Sequence, residues 1–229
     1  MIDLHTHILP GIDDGSDNLQ TSINMVKHAV SQGVTDIFFT PHYRDLFNPS
    51  VEEINQAYNN LKNELNNQGI VVNTYLGQEI FVDKEIKTLL NEKKVLTLNG
   101  TKYVLIEFDL NHRNDIANMV YEVKIAGYIP IVAHLERYYY STMEIAREVK
   151  GYGALIQVNA GSIVGRHKRD YKKMVKGLFK EGLVDFVASD VHSNRENMLL
   201  ESYNYVSKKF GKEVANAVYN ENAKKIIEG

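Results

Sequence analysis

The sequence predicts an α/β protein, a distorted (β/α)7 barrel with a polar site at the C-terminal ends of its strands. Three observations lead there. Short runs rich in Val, Ile and Phe alternate with amphipathic stretches of helical period along the whole chain. A glycine closes most of the amphipathic stretches just before the next run begins. Six of the seven runs carry His, Asp or Glu at or next to their C-terminal ends. An open doubly wound sheet fits the alternation equally well, but side chains from so many strand ends converge only where the sheet closes on itself.

Residues 2–7 form the first run, and residues 20–31 follow as a helix ended by Gly33. The second run is 36–41, followed by a long amphipathic stretch, 51–68, ended by Gly69. The third and fourth runs are 72–79 and 103–108, and a helix over 115–126 ends at Gly127. The fifth run is 129–134 and the sixth 155–159. A helix over 171–181 ends at Gly182, the seventh run is 186–190, and a last helix covers 196–210. Gly33, Gly69, Gly127 and Gly182 stand where a left-handed cap is wanted. Parallel strands joined by helices in this order require right-handed crossovers.

The 229 residues contain no low-complexity tract and no Pro/Gly/Ser linker, so a single domain over 1–229 is expected. A net charge of −3 argues against broad nucleic-acid binding. No apolar run approaches the roughly 20 residues of a membrane span, and charged and polar residues begin at Asp3, so no membrane insertion and a cytoplasmic location are expected. There is no cysteine, which excludes disulfides, thiolate metal sites and a cysteine nucleophile. The chemistry must rest on carboxylates, imidazoles, hydroxyls or metals.

The first run ends His5-Thr6-His7, and residues two apart on a strand share a face. The loop after it offers Asp13 and Asp14. The second run ends Thr40-Pro41-His42, the third Gly77-Gln78-Glu79, the fourth Ile106-Glu107-Phe108 and the fifth Ala133-His134. The seventh ends Ser189-Asp190-Val191-His192. Any one of these residues could cap a helix or sit satisfied in a core. Nine at matching positions could not, because clustered carboxylates repel unless a cation sits among them. His28, His112 and His167 lie away from strand ends and read as solvated or packing residues.

The runs HTHILPGIDDGS, TPHY, GQEI, IEF, HLER, NAGS and SDVH, in this order from His5 to His192, resemble the bacterial PHP-family manganese-dependent tyrosine phosphatases of capsule and exopolysaccharide operons. The resemblance implies a PHP barrel, related to the TIM barrel, with three divalent ions. One would be held by His5, His7 and Asp190, with Glu79 bridging to a second that adds Glu107 and His134. Asp14, His42 and His192 would hold the third. Nitrogen and oxygen ligands without sulfur suit manganese, iron or zinc, and the family preference is manganese. Four carboxylates and three divalent ions leave the filled site at about +2, which attracts a phosphate dianion. The resemblance places Arg137 on the phosphate, with Arg195 as a second arginine, since guanidinium matches phosphate oxygens. This chain has Leu135 where the family usually has a proline, and lacks the family's prolines after His192.

Tyr43 and the triplet Tyr138-Tyr139-Tyr140 stand beside strand-end residues, where an aromatic pocket or plain packing would both use them. The basic run Arg166-His167-Lys168-Arg169 reads as a solvated loop. The function implied is hydrolysis of phosphotyrosine on a protein, a bacterial tyrosine kinase above all. A histidinol-phosphatase-like enzyme and a noncatalytic metal-stabilised binding module compete with it.

Overall fold

All seven apolar runs become strands in the computed structural model, which describes residues 1–82 and 85–229. The first unit is β1 (Ile2–Thr6), α1 (Leu19–Ser31) and β2 (Asp36–Phe39). The second run then breaks: β3 (His42–Tyr43) follows β2 after Thr40 and Pro41. Past α2 (Val51–Asn67) the third run breaks likewise, into β4 (Asn73–Leu76) and β5 (Glu79–Phe81). α3 (Ile86–Asn91), β6 (Tyr103–Glu107), α4 (Ile116–Ile125), β7 (Ile129–Val132), α5 (Met143–Gly151) and β8 (Leu155–Asn159) come next. The chain ends with α6 (Ala160–Val164), α7 (Arg169–Lys180), β9 (Phe186–Ala188), α8 (Leu199–Phe210), α9 (Lys212–Asn216) and α10 (Asn222–Glu228).

Every strand pair is parallel. β1, β2 and β4 form one sheet, and β3, β5, β6, β7, β8 and β9 form the other. The two broken strands belong to both, so they carry the sheet around a corner. A parallel bridge from Thr6 to Val191 closes the circle. Around it, the His7 amide donates to the Val191 carbonyl at 3.1 Å and the Asp190 amide to the His5 carbonyl at 3.0 Å. The buried Asp3 carboxylate reinforces the seam by accepting from the Ser189 amide at 3.0 Å. Taking each broken run as one strand, the barrel has the seven members expected.

The distortion has a visible cause. Lower in the barrel β4 pairs only with β2, and the turn Leu98–Gly100 packs against it where a strand neighbour would lie. Gly77 permits that approach, because a Cβ there would meet Leu98 Cδ2 at 2.5 Å.

Two apolar layers follow. Outward-facing side chains such as Ile37, Val104, Ile106, Ile156 and Val158 pack under the helices. Ile2, Leu4, Phe38, Leu105, Ile131 and Phe186 fill the barrel interior, and Ala223 and Ile226 of α10 join the same cluster. The pairing of β1 with β2 slips between Asp3 and Thr6, so His5 turns inward although Leu4 does too. The helix caps Gly33, Gly69, Gly127 and Gly182 all have positive φ, as expected. No described helix is long and apolar enough to cross a membrane.

Candidate metal centre

Above the apolar filling, the barrel mouth is polar. His5, His7, His42, Glu79, Glu107, His134, Asp190 and His192 are all buried there, and Asp14 stands at the rim with its side chain 55% exposed. Glu79 is central. Its Oε2 lies 3.3 Å from His5 Nε2, 3.3 Å from His7 Nε2 and 3.0 Å from His42 Nδ1, and its Oε1 lies 2.7 Å from His134 Nε2. Glu79 Oε2, His42 Nδ1 and His134 Nδ1 are buried without a hydrogen bond. Native interiors rarely leave such atoms unpaired, and a carboxylate oxygen ringed by imidazole nitrogens fits a cation well.

Among the described residues, three groupings have donor atoms close enough to share an ion: His5, His7 and Asp190; His42, Glu79 and Glu107; and His7, Asp14, His42 and His192. The first and last match two of the sets read from sequence, with His7 added to the last. In the middle one His42 stands where His134 was expected beside Glu107, because its Nδ1 is 3.2 Å from Glu107 Oε1. His134 meets Glu79 from the other side.

The imidazoles are held by residues to which the sequence reading gave no role at the centre. His7 Nδ1 donates to Asp13 Oδ2 at 2.7 Å, and Asp13 also accepts from the Gly15 and His42 amides, both at 2.9 Å. His5 Nδ1 donates to Gln157 Oε1 at 3.2 Å, which also takes the His134 amide at 2.8 Å. Each bond fixes the tautomer and leaves Nε2 as the inward-facing nitrogen, free to accept. The loop passes this close only because residue 15 is glycine: a Cβ there would lie 2.0 Å from the His7 carbonyl.

Asp190 has two faces. Its Oδ1 is 3.6–3.8 Å from ring nitrogens of His5, His7 and His192. Its Oδ2 accepts from Arg137 Nη1 at 2.7 Å and Asn159 Nδ2 at 2.7 Å, with Arg195 Nη1 at 3.4 Å. Both arginines therefore reach the centre, despite Leu135 in place of the usual proline. Burial alone would raise the Asp190 carboxyl, but the charges of His5 and Arg137 hold it far below the carboxylate range. Burial likewise opposes charge on His42, yet Glu79 and Glu107 outweigh it and push the imidazole up to about 11. With protons as the sole counter-charge, the carboxylates claim them strongly.

His134 and Asp190 both have left-handed backbones, φ 33° and 51°. Such conformations cost about 1–3 kcal/mol each in a residue with a Cβ and persist at sites that need them. Among the remaining histidines, His28 and His112 are exposed as expected. His167 is half-buried and bonded to Ser162 Oγ at 3.0 Å. Burial first, then the Arg137 charge, lowers its pKa, so it sits nearer the centre than a solvated loop would put it.

The match to known proteins runs the same length as the fold. A family model described as capsular polysaccharide synthesis, CpsB/CapC, matches residues 1–228. The chain belongs to the CpsB/CapC family. It is 34% identical over 239 residues to the tyrosine-protein phosphatase CpsB of Streptococcus agalactiae, covering 99% of this chain and 98% of that one. It is 34% identical over 220 residues to the tyrosine-protein phosphatase YwqE of Bacillus subtilis, covering 93% and 87%. A solved structure from work on YwqE of B. subtilis and CpsB of Streptococcus pneumoniae, described as metal-dependent tyrosine phosphatases, superimposes with a TM-score of 0.87 at 33% identity, covering 94% of this chain and 90% of that one. A histidinol phosphate phosphatase from Lactococcus lactis, at 15% identity, TM-score 0.58 and coverages of 91% and 94%, shares the fold. The CpsB/CapC chain thus carries its family's barrel with a metal-competent polar mouth.

Proposed function

We propose that this chain is a metal-dependent phosphomonoesterase that hydrolyses phosphotyrosine on proteins, its substrate being a bacterial tyrosine kinase that governs capsule or exopolysaccharide synthesis. The observation that carries the reading is Glu79 Oε2, buried, without a hydrogen bond and surrounded by three imidazole nitrogens. Membership of a family whose members are named tyrosine-protein phosphatases supports the substrate class.

His5, His7 and Asp190 would hold one ion, Glu79, Glu107 and His134 a second, and Asp14, His42 and His192 a third, manganese before iron or zinc. Divalent ions, when bound, supply Lewis acidity that draws charge from phosphoryl oxygens and acidifies water towards neutral pH. The chain's own residues do the rest. Arg137 and Arg195 present guanidinium groups for the phosphoryl oxygens that the ions do not take. Asp190 Oδ2, itself held by Asn159 Nδ2, keeps Arg137 in place beforehand, so little side-chain entropy remains to be lost on binding. Asp13 and Gln157 keep the His7 and His5 rings turned inward. No thiol is available, so a cysteinyl-phosphate route is closed to this chain.

Phosphate release from a tyrosine-phosphorylated peptide and from histidinol phosphate, each with manganese and then with chelator, tests the reading. Manganese-dependent release from the peptide is expected. Release from histidinol phosphate alone would overturn the substrate, and release from neither would overturn the activity.

A further inference from the structure

Of the tyrosines that an aromatic pocket or plain packing would both use, Tyr138, Tyr140 and Tyr43 are taken up in packing. Tyr138 is buried, its hydroxyl donating to the Ala133 carbonyl at 3.0 Å and accepting from the Phe108 amide at 3.1 Å. Tyr140 bonds the Asp109 carbonyl at 2.9 Å, and Tyr43 packs against the main core. Tyr139 is 67% exposed and stacks edge-on against Tyr140. A different cavity, of about 270 Å³, opens beside Glu107, with Phe81, Leu110 and Leu46 among its apolar walls and Arg44, Asp45 and Asp109 among its polar ones.

Three features of this cavity point to one occupant. Its volume lies just below the roughly 300 Å³ at which small-molecule sites begin, enough for one ring rather than a whole metabolite. It adjoins the candidate centre, because Glu107 lines the cavity and also belongs to one of the ligand groupings, and Arg44 Nη1 reaches Glu107 Oε1 at 3.4 Å. Its rim is a tight turn in which the Arg44 amide donates to the Phe47 carbonyl at 2.7 Å and the Phe47 amide to the Arg44 carbonyl at 2.8 Å. Phe47 in turn stacks on His42, with ring centroids 6.2 Å apart. The turn is therefore anchored on two candidate ligands, and it holds Leu46 out at its tip, 81% exposed. Leu46 thereby adds an apolar side chain to the rim of the cavity, where it can line an apolar part of a ligand.

Resting on the tyrosine-phosphatase reading, we propose that this cavity receives the phenyl ring of the phosphotyrosine, with Phe81 and Leu46 determining the preference for aryl over alkyl phosphates. The phosphoryl group would sit at the metal centre and the ring would lie past Glu107 between Phe81, Leu110 and Leu46. A seryl phosphate, without a ring, gains nothing from these walls.

Phenylphosphonate and methylphosphonate share a headgroup and differ in the ring, so their affinities for the manganese-loaded protein isolate the cavity from the chemistry. Titration calorimetry on the wild type, Phe81→Ala and Leu46→Ser measures both. The wild type should bind phenylphosphonate about tenfold more tightly, from burial of the ring. Phe81→Ala should reduce that ratio to about twofold, and Leu46→Ser should lower it by a smaller factor. Leu46→Ser alters an exposed tip, so its effect is not one of misfolding, and methylphosphonate affinity reports whether the headgroup site survives in each variant. Equal affinities in the wild type, a ring preference that survives in both variants, or equal loss of both ligands would overturn the proposal. Ring preference without release from a tyrosyl-phosphorylated peptide would instead overturn the catalytic reading and leave the cavity standing.

Discussion

Asp13 and Asp14 are neighbours with opposite tasks. Asp14 stands at the rim, 3.6 Å from ring nitrogens of His42 and His192. Asp13 turns back into the protein, where it accepts His7 Nδ1–H and two backbone amides. Burial would raise its carboxyl, but His7 and His42 hold it below its ordinary value, so it stays an acceptor. Removing it frees the His7 ring and strands two buried amides. Asp13→Ala is therefore expected to weaken manganese affinity about 10–100-fold, the usual loss for a ligand-orienting partner. Activity titrated against manganese checks this, with turnover largely recovered at high metal. An unchanged metal requirement would mean that Asp13 merely shapes the loop. The residues carrying the polar mouth could be read from the sequence because His and Glu at strand ends are a repeated pattern. Asp13, Gln157 and Asn159 could not, since a polar residue that orients a ligand has no spacing of its own. In an Asp-Asp pair, only the backbone decides which carboxylate faces in.

At the level of elements, α2 shows how a local rule sets a boundary. Ser50 Oγ accepts from the Glu53 amide at 3.2 Å while Glu53 Oε2 accepts from the Ser50 amide at 2.8 Å, a reciprocal capping box. Ser50→Ala should cost about 1 kcal/mol and lower the melting temperature by roughly 2–4 °C for a chain of this size. Thermal denaturation followed by circular dichroism measures it, and no shift would show the cap to be redundant. Ile54, Leu61 and Leu65 bury one face of α2, at helical spacing, and this is why the element was legible beforehand. Short elements were not. α3 and α5, at 6 and 9 residues, are too brief for period to separate them from loop, and they take their shape from burial against the barrel. The breaks in the second and third strands were hidden for a related reason. Pro41 lacks an amide donor and Gly77 is needed for the Leu98 approach, but neither fact states that the chain resumes pairing two residues later with a new sheet.

The molecule as a whole is closed at one end by α10 and at the other by charge. The apolar interior stops at Leu4, Leu105 and Ile131, and Glu79, Glu107 and Asp190 begin directly above it. Without a metal, three buried carboxylates share one small volume, offset by imidazoles that must take up protons. His7 shows the strain of that compromise: burial and the His42 charge both disfavour its imidazolium, yet Asp13 and Glu79 push it up to about 9. Divalent ions bound there would replace this arrangement with one in which the inward nitrogens could stay neutral and the carboxylates would have a counter-charge. Since the unfolded chain keeps none of this geometry, metal binding should appear as stability of the fold. At free metal 100 times the dissociation constant, linkage gives about 2.7 kcal/mol per site. With a chain of this size that is roughly 5–10 °C in melting temperature for a single site. Scanning calorimetry of the manganese-loaded protein against the same protein in chelator should show a rise of at least that order, growing with metal concentration. The same rise in a Glu79→Gln variant would be incompatible with Glu79 at the heart of the centre, because the amide removes the charge that three imidazoles surround while keeping its shape. An unchanged melting temperature in the wild type would mean that the polar mouth is held by its own hydrogen bonds and protons, and that metal contributes nothing to the fold.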